Sequence, residues 1–262
     1  MSKDRNQGSQ RLYKLGWILL FLLFWQVLVL SGQFPEALLP SPLRVIQALM
    51  QSIADGTMVQ AFVYSMGLIL AGLLLGASIA LVLSVLSTLS PIAASFVETC
   101  ISIAHPLPGI ALLPLVILWI GTDTSAILFI ILHSVIWPMV LNLRAGFQAV
   151  PELHLQVARG MGLSPLQATI FIGIPASMAY LLSGLEISWS RAWRSLVSAE
   201  MIFGAAGGVG GLGWIIFQSR VFMDTAGLFS ALLVMIAIGI LVEHVLFRFL
   251  EGRTIKRWGM SR

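Results

Sequence analysis

Six apolar runs, each near the length of a membrane span, alternate along the chain with polar or proline-rich breaks. A bilayer core is crossed by roughly 20 apolar residues in a helix. The first run, apolar over 15–30 except for Gln26, predicts a span at about 15–31 and follows a polar tail, 1–14. A basic segment before an apolar run also fits a signal peptide. No small-x-small cleavage site follows, so the run is expected to stay as the first span. Pro42 to Ala54 carries Val45, Leu49 and Ile53 at helical spacing, which predicts a short amphipathic helix at the interface. The second span is predicted at 61–87. The third, 91–119, opens at Pro91 and is broken by His105-Pro106-Leu107-Pro108-Gly109 and by Pro114. Prolines free backbone carbonyls, which a membrane tolerates only where protein or a water-filled path satisfies them. Three more spans are predicted at 125–143, 177–203 and 226–247, leaving 248–262 as a basic tail.

Composition agrees with this pattern. Of 262 residues, 58% are hydrophobic and 10% charged, against about 25% charged in an ordinary soluble domain. The expected fold class is therefore all-α: a polytopic membrane protein with six transmembrane helices. The net charge of +4 does not point to nucleic acid, because the basic residues are placed to orient the chain. Lys3, Arg5, Arg11 and Lys14 precede the first span, Arg144 and Arg159 lie in 144–176, and Arg248, Arg253, Lys256, Arg257 and Arg262 follow the last. Only Arg44 and Arg220 fall in the opposite loops. The positive-inside rule then puts both termini and the 144–176 segment in the cytoplasm. Cys100 is the one cysteine, which excludes an internal disulfide.

The cytoplasmic segment 151–175 reads as two short helices, the first opened by Pro151 and the second capped by Ser164-Pro165. Small residues at Ala158, Gly160 and Gly162 let a partner approach. Within it, Gln156-Val157-Ala158, Gly162 and Ile172-Gly173-Ile174-Pro175 stand at fixed spacing. This pattern resembles the EAA loop of importer permeases of the ATP-binding cassette (ABC) class: Glu-Ala-Ala, three residues, Gly, nine residues, then Ile-x-Leu-Pro. Gln156 and Val157 depart from it, and Ile174 replaces Leu. The likeness extends over nearly the whole chain. Leu39-Pro40-Ser41-Pro42 is similar to the loop before the family's second span, 113–121 to its broken third span, and Trp193 through Ala199-Glu200-Met201-Ile202 with Gly211-Leu212-Gly213 to its fifth span and the loop after it. Within the class, the chain is most similar to the nitrate, aliphatic sulfonate and taurine permeases.

The resemblance implies a type I ABC importer permease fold in the bacterial inner membrane. Two permease copies would form the pathway, an extracytoplasmic binding protein would deliver the solute, and two ABC ATPase subunits would bind ATP and Mg, so this chain needs no cofactor of its own. The coupling residues would be Glu152, Gln156, Val157, Ala158, Met161, Gly162, Leu163, Ser164 and Pro165. The solute would be small and anionic, of sulfonate, taurine or nitrate type. A pyrimidine-type or other small organic solute is the alternative.

Ionisable residues inside a span are functional candidates by default. The fifth span holds Glu186, Arg191, Arg194 and Glu200. Arg191 and Arg194 are i,i+3, so they share a face, and guanidinium groups suit sulfonate or carboxylate. Either they touch solute, or carboxylates such as Glu186, Glu200, Glu98 or Glu243 pair with them structurally. The candidate pathway comprises Arg191, Arg194, Trp193, Glu200, His105, Pro106 and Pro108. The glycine tract 204–213 is followed by no Lys-Ser/Thr pair, so it is no phosphate loop. It reads as a re-entrant or extracytoplasmic loop. No catalytic residue and no metal ligand set is expected. Two rivals are weighed. An intramembrane serine protease would use Gly76-Ala77-Ser78-Ile79 with His244, and a stand-alone carrier or channel would have no need of 151–175.

Overall fold

The structure is a computed structural model that describes residues 2–205 and 210–253. Its regular elements are helical, and its contacts divide the chain into two units: residues 1–59 with 215–234, and residues 60–214 with 235–262.

In the first unit, α1 (Ser2–Leu30) is one continuous helix. A polar tail at 1–14 was the expectation. Residues 2–14 contain no proline and a single glycine, Gly8, so nothing stops the helix from extending back from the apolar run. The Trp25 indole donates to the Pro40 carbonyl (3.1 Å) and its ring leans on Phe229 at 5.4 Å. That contact fixes the Pro-rich link before α2 (Pro42–Ala54). Ser41 caps α2 by accepting from the Arg44 N–H, and Pro42 supplies the fixed φ of a first turn. The Asp55 carboxylate then accepts the Thr57 N–H (2.9 Å), which holds its carboxyl below the usual carboxylate range. Gly56, at φ +85°, makes the turn into α3 (Thr57–Leu89).

In the second unit, α4 (Pro91–Ala104) starts behind the Ser90 cap. Residues 105–108 break it, a 3-10 turn spans Gly109–Leu112, and α5 (Leu113–Trp119) follows at an 87° bend. The break falls where the prolines place it. Next, α6 (Thr124–Gln148) and α10 (Met178–Phe203) pack along their length. Ile127, Ile130, Ile131, Val135, Met139 and Leu143 are buried on α6, and Trp189, Ala192, Leu196 and Ala199 on α10. A Cβ on Gly146 would meet Ser177 Cβ at 2.8 Å, and one on Gly184 would meet Met139 Sδ at 2.9 Å. Gly72 and Gly76 form a Gly-x-x-x-Gly pair on α3 that seats Ile131 and Val135 of α6.

Among the described residues, three helices are long and apolar enough to cross a membrane: Thr57–Leu89, Thr124–Gln148 and Thr225–Arg253. Two bent pairs, Pro91–Ala104 with Gly109–Trp119 and Pro165–Ala176 with Met178–Phe203, bring the number to five, and Gly16–Leu30 is a shorter apolar helix. The fourth apolar run, expected to end at 143, continues to Gln148. Arg144 is therefore no loop residue. It reaches Glu98 of α4 at 3.6 Å.

Between α6 and α10, α7 (Glu152–Gly160) and α8 (Pro165–Ala168) form a small hairpin. A π-turn (Thr169–Gly173) and α9 (Ile174–Ala176) lead from it into α10 through a 70° bend. Past α10, α11 (Leu212–Val221) is followed by α12 (Thr225–Leu241), a π-turn at Val242–Leu246 and α13 (Phe247–Arg253). Gly207, Gly208, Lys256, Arg257 and Arg262 lie outside the described residues.

Candidate functional site

The break after α4 folds back against α6 and α10 and leaves a cavity of about 350 Å³ between them. Its α10 wall carries Arg191, Arg194, Ser195 and Ser198. These stand at i, i+3, i+4 and i+7, a single face at 3.6 residues per turn. The α6 wall carries His133, Ser134 and Trp137, and the break contributes residues 105–110. Ser134 and Ser195 are hydrogen-bonded across the floor at 2.8 Å. Gly109 lets the broken segment approach, since a Cβ there would stand 2.9 Å from Ser134 Oγ.

This cavity is rich in donors. Two guanidinium groups line it and no carboxylate does. Among the described residues neither arginine has an ion-pair partner within 4.0 Å. The Trp137 indole N–H and His105 Nδ1 are buried without a hydrogen-bond partner. Buried polar groups are ordinarily satisfied, so these atoms mark a place where a polar guest would complete the wall. The sequence expectation brought Arg191, Arg194, His105, Pro106 and Pro108 to this place. It missed Ser134, Ser195 and Ser198, although the spacing of Ser195 and Ser198 from Arg191 carried the signal.

Two expected pathway residues stand elsewhere. Trp193 is two positions from Arg191, on the far side of α10, where it stacks on the buried Trp189 at 5.7 Å and 11°. Glu200, six positions past Arg194, also points away from the cavity and is fully buried. The Ser65 hydroxyl donates to Glu200 Oε1 (2.7 Å), the Gly213 N–H donates to Oε2 (2.8 Å), and the Leu212 N–H donates to Ser65 Oγ (3.0 Å). A Cβ on Gly211 would collide with this carboxylate, and one on Gly213 with the Val197 carbonyl. Gly204, at φ +73°, ends α10. Gly211 and Gly213 thus let the chain lie close against a buried acid, and the Gly213 N–H bonds it. Glu98 is likewise reassigned: its partner is Arg144 and not an arginine of α10.

The α7–α8 hairpin is the second feature. Gly162, at φ +75°, closes α7 in a Schellman turn, with Gly162 N–H on the Arg159 carbonyl (3.0 Å) and Leu163 N–H on that of Ala158 (3.1 Å). Ser164 and Gln167 follow at once as a reciprocal capping box. Leu153, Val157 and Met161 line one face at i, i+4 and i+8 and are exposed at 67, 52 and 72%. Glu152 and Arg159 pair on the surface. Gln156, Ser164 and Pro165 are exposed and Leu163 is half-buried. Ala158 is fully buried, so in this chain it packs inward and offers no surface for a contact. Leu153 was not foreseen.

The Ser78 hydroxyl donates a hydrogen bond to the Leu74 carbonyl of its own helix (2.7 Å), and Gly76, ahead of it, packs against Val135 of α6, so of the protease rival's residues Gly76 serves helix association.

A family model described as a binding-protein-dependent transport system inner membrane component matches residues 72–256. The chain belongs to that family. Its fold is the type I ABC permease fold, and its function is that of an importer's permease subunit. Such permeases work in the inner membrane with ATPase and substrate-binding partners. The taurine transport system permease protein of Escherichia coli (strain K12) is 26% identical over 87% of this chain and 84% of its own. The nitrate import permease protein of Synechocystis sp. (strain PCC 6803) is 27% identical over 91 and 87%. A Bacillus subtilis (strain 168) permease, whose name assigns it provisionally to aliphatic sulfonates transport, is 26% identical over 96 and 91%.

Proposed function

We propose that this permease spans the inner membrane six times with both termini and the α7–α8 hairpin in the cytoplasm. In this reading it pairs with a second copy of itself. It moves a small anion of sulfonate, taurine or nitrate type inward by alternating access. Two ABC ATPase subunits hold the ATP and Mg, an extracytoplasmic binding protein delivers the anion, and this chain carries no cofactor. The relatives named for taurine, nitrate and aliphatic sulfonates support the solute class. So does a cavity with two unpaired guanidinium groups, whose planar donor forks match oxyanions.

The single observation that carries the coupling role is the exposed Leu153, Val157 and Met161 stripe on α7. Three apolar side chains on a short helix beyond the spans need a partner's groove to leave water. Glu152, Gln156, Leu163, Ser164 and Pro165 would frame that contact, while Ala158 and Gly162 hold its shape. Because the hairpin joins α10 through one bend, closure of the ATPase pair would tilt α10 and so move Arg191 and Arg194 relative to the α4 break, a hinge type of switching.

The test follows from the stripe. Val157→Glu with Met161→Glu should abolish co-purification of the ATPase subunits while the permease keeps its abundance and its Tm in detergent. Normal co-purification would remove the hairpin from the coupling role. Ala158→Arg is unsuitable for the purpose, because it would disrupt the hairpin itself.

A further inference from the structure

The surface of α4 divides into three faces. Val97 and Ile101 are buried in the core. Ile92, Phe96 and Ile103 are exposed and apolar. Between them runs a third face, also exposed, carrying Ser95, Glu98, Thr99 and Ser102 at i, i+3, i+4 and i+7. A groove follows this third face, with Ile103 at its edge. One more turn along it stands His105, on the wall of the arginine cavity.

Hydroxyls alone would say little. Thr99 donates to the Ser95 carbonyl and Ser102 to that of Glu98, both at 2.9 Å, so each is satisfied in any surroundings. Glu98 decides the matter. Its side chain is 71% exposed, and its place on the helix is about 10 Å from Pro91, at 1.5 Å per residue. A carboxylate facing hydrocarbon at that depth carries a heavy solvation penalty, and intramembrane charges face protein or water. The neighbouring Ile92, Phe96 and Ile103 face suits lipid, and the Glu98 face does not.

We propose that the Ser95, Glu98, Thr99 and Ser102 face of α4 lines the cytoplasmic leg of the translocation path, where water and the anion leave the arginine cavity. This rests on the orientation and solute class given above. The contrast in charge fits the task. Arg191 and Arg194 are uncompensated and hold the anion, whereas Glu98 is balanced by Arg144 at 3.6 Å and offers no net attraction. A path must bind its solute well enough to admit it and weakly enough to release it.

The test uses the assembled importer in inverted membrane vesicles, with Cys100→Ser removing the one native thiol. Ser95→Cys, Thr99→Cys and Ser102→Cys are exposed from the cytoplasmic side to an anionic, membrane-impermeant methanethiosulfonate, with Ile92→Cys and Phe96→Cys, which lie outside the groove, as the lipid-facing reference. The three stripe positions should react at least tenfold faster than the reference pair. Equal rates would overturn the proposal. So would disulfide cross-linking of two permeases through the stripe cysteines without reaction with the reagent, which would place the face in a dry contact between copies. ATP-driven uptake by the same variants before labelling separates the two ideas. If uptake persists while labelling fails, the permease reading stands and the stripe does not line its path.

Discussion

Two faces of α10 carry ionisable residues and treat them in opposite ways. Glu200 is fully buried, and both its oxygens accept from Ser65 and the start of α11. Arg191 and Arg194 face a cavity and have no carboxylate partner among the described residues. A charge in a membrane needs either partners or a job. Glu200 has the partners, so it belongs to architecture: it closes the junction between α3, the end of α10 and the first turn of α11. The two arginines keep their donors open, and donors left open in a protein that must carry a solute are where that solute can bind.

The largest expected effect falls on the architectural face. Glu200→Ala strands the Gly213 N–H and the Ser65 hydroxyl, at about 1–3 kcal/mol for each buried donor left unpaired. Permease abundance in the membrane and Tm in detergent should both fall. Glu200→Gln keeps the shape, and its amide can set Oε1 to accept the Gly213 N–H and its NH2 to donate to the Ser65 hydroxyl, so it should fall less. Normal Tm for Glu200→Ala would show that the carboxylate is not what holds this junction.

On the other face the effect should appear in transport and not in folding. A charge-assisted hydrogen bond contributes about 1.5–3 kcal/mol, so Arg191→Gln with Arg194→Gln should lower anion uptake tenfold or more. Abundance and ATPase co-purification should stay normal, because no ion pair is broken. Loss of the protein in the double variant would mean that the arginines are structural after all and would dissolve the contrast between the faces.

Legibility in the sequence divides along the same line. Features set by local backbone chemistry could be read directly. The prolines marked the break after α4, Ser41-Pro42 marked the start of α2, and Ser164-Pro165 the start of α8. Helical spacing also placed Arg191 and Arg194 together, and applied strictly it would have excluded Trp193 and Glu200 from their face and added Ser195 and Ser198. What could not be read was the company of Glu200. Its side-chain partner, Ser65, lies 135 residues away, and its other donor is a backbone N–H, which has no side-chain signature. The pairing of Glu98 with Arg144 was hidden for a different reason: an arginine near the end of an apolar run reads as a loop residue, while the helix in fact continues to Gln148.

A smaller effect is expected at the turn of the hairpin. Gly162→Ala places a Cβ in the left-handed region, at roughly 1–2 kcal/mol. There is open space around the position, so strain is the only cost. The Schellman turn should loosen and ATP-driven uptake should drop severalfold, with solute binding in the cavity retained. A parallel loss of cavity binding would show that the hairpin and the α10 face are not separable.

The smallest effect belongs to the most conspicuous ion pair. Arg159 and Glu152 sit on the outer surface of α7, both more than half exposed. Exposed pairs contribute about 0–1 kcal/mol and are screened by salt. Arg159→Gln should therefore leave Tm unchanged within error. Arg159 is two positions from both Val157 and Met161, on the far side of α7 from the stripe, so it could act on an ATPase only over distance. If Arg159→Gln weakens ATPase co-purification at low salt and the difference disappears at high salt, the pair steers docking without holding the fold. If it lowers Tm as Glu200→Ala should, exposure and burial do not separate the charges of this protein as the two faces of α10 suggest.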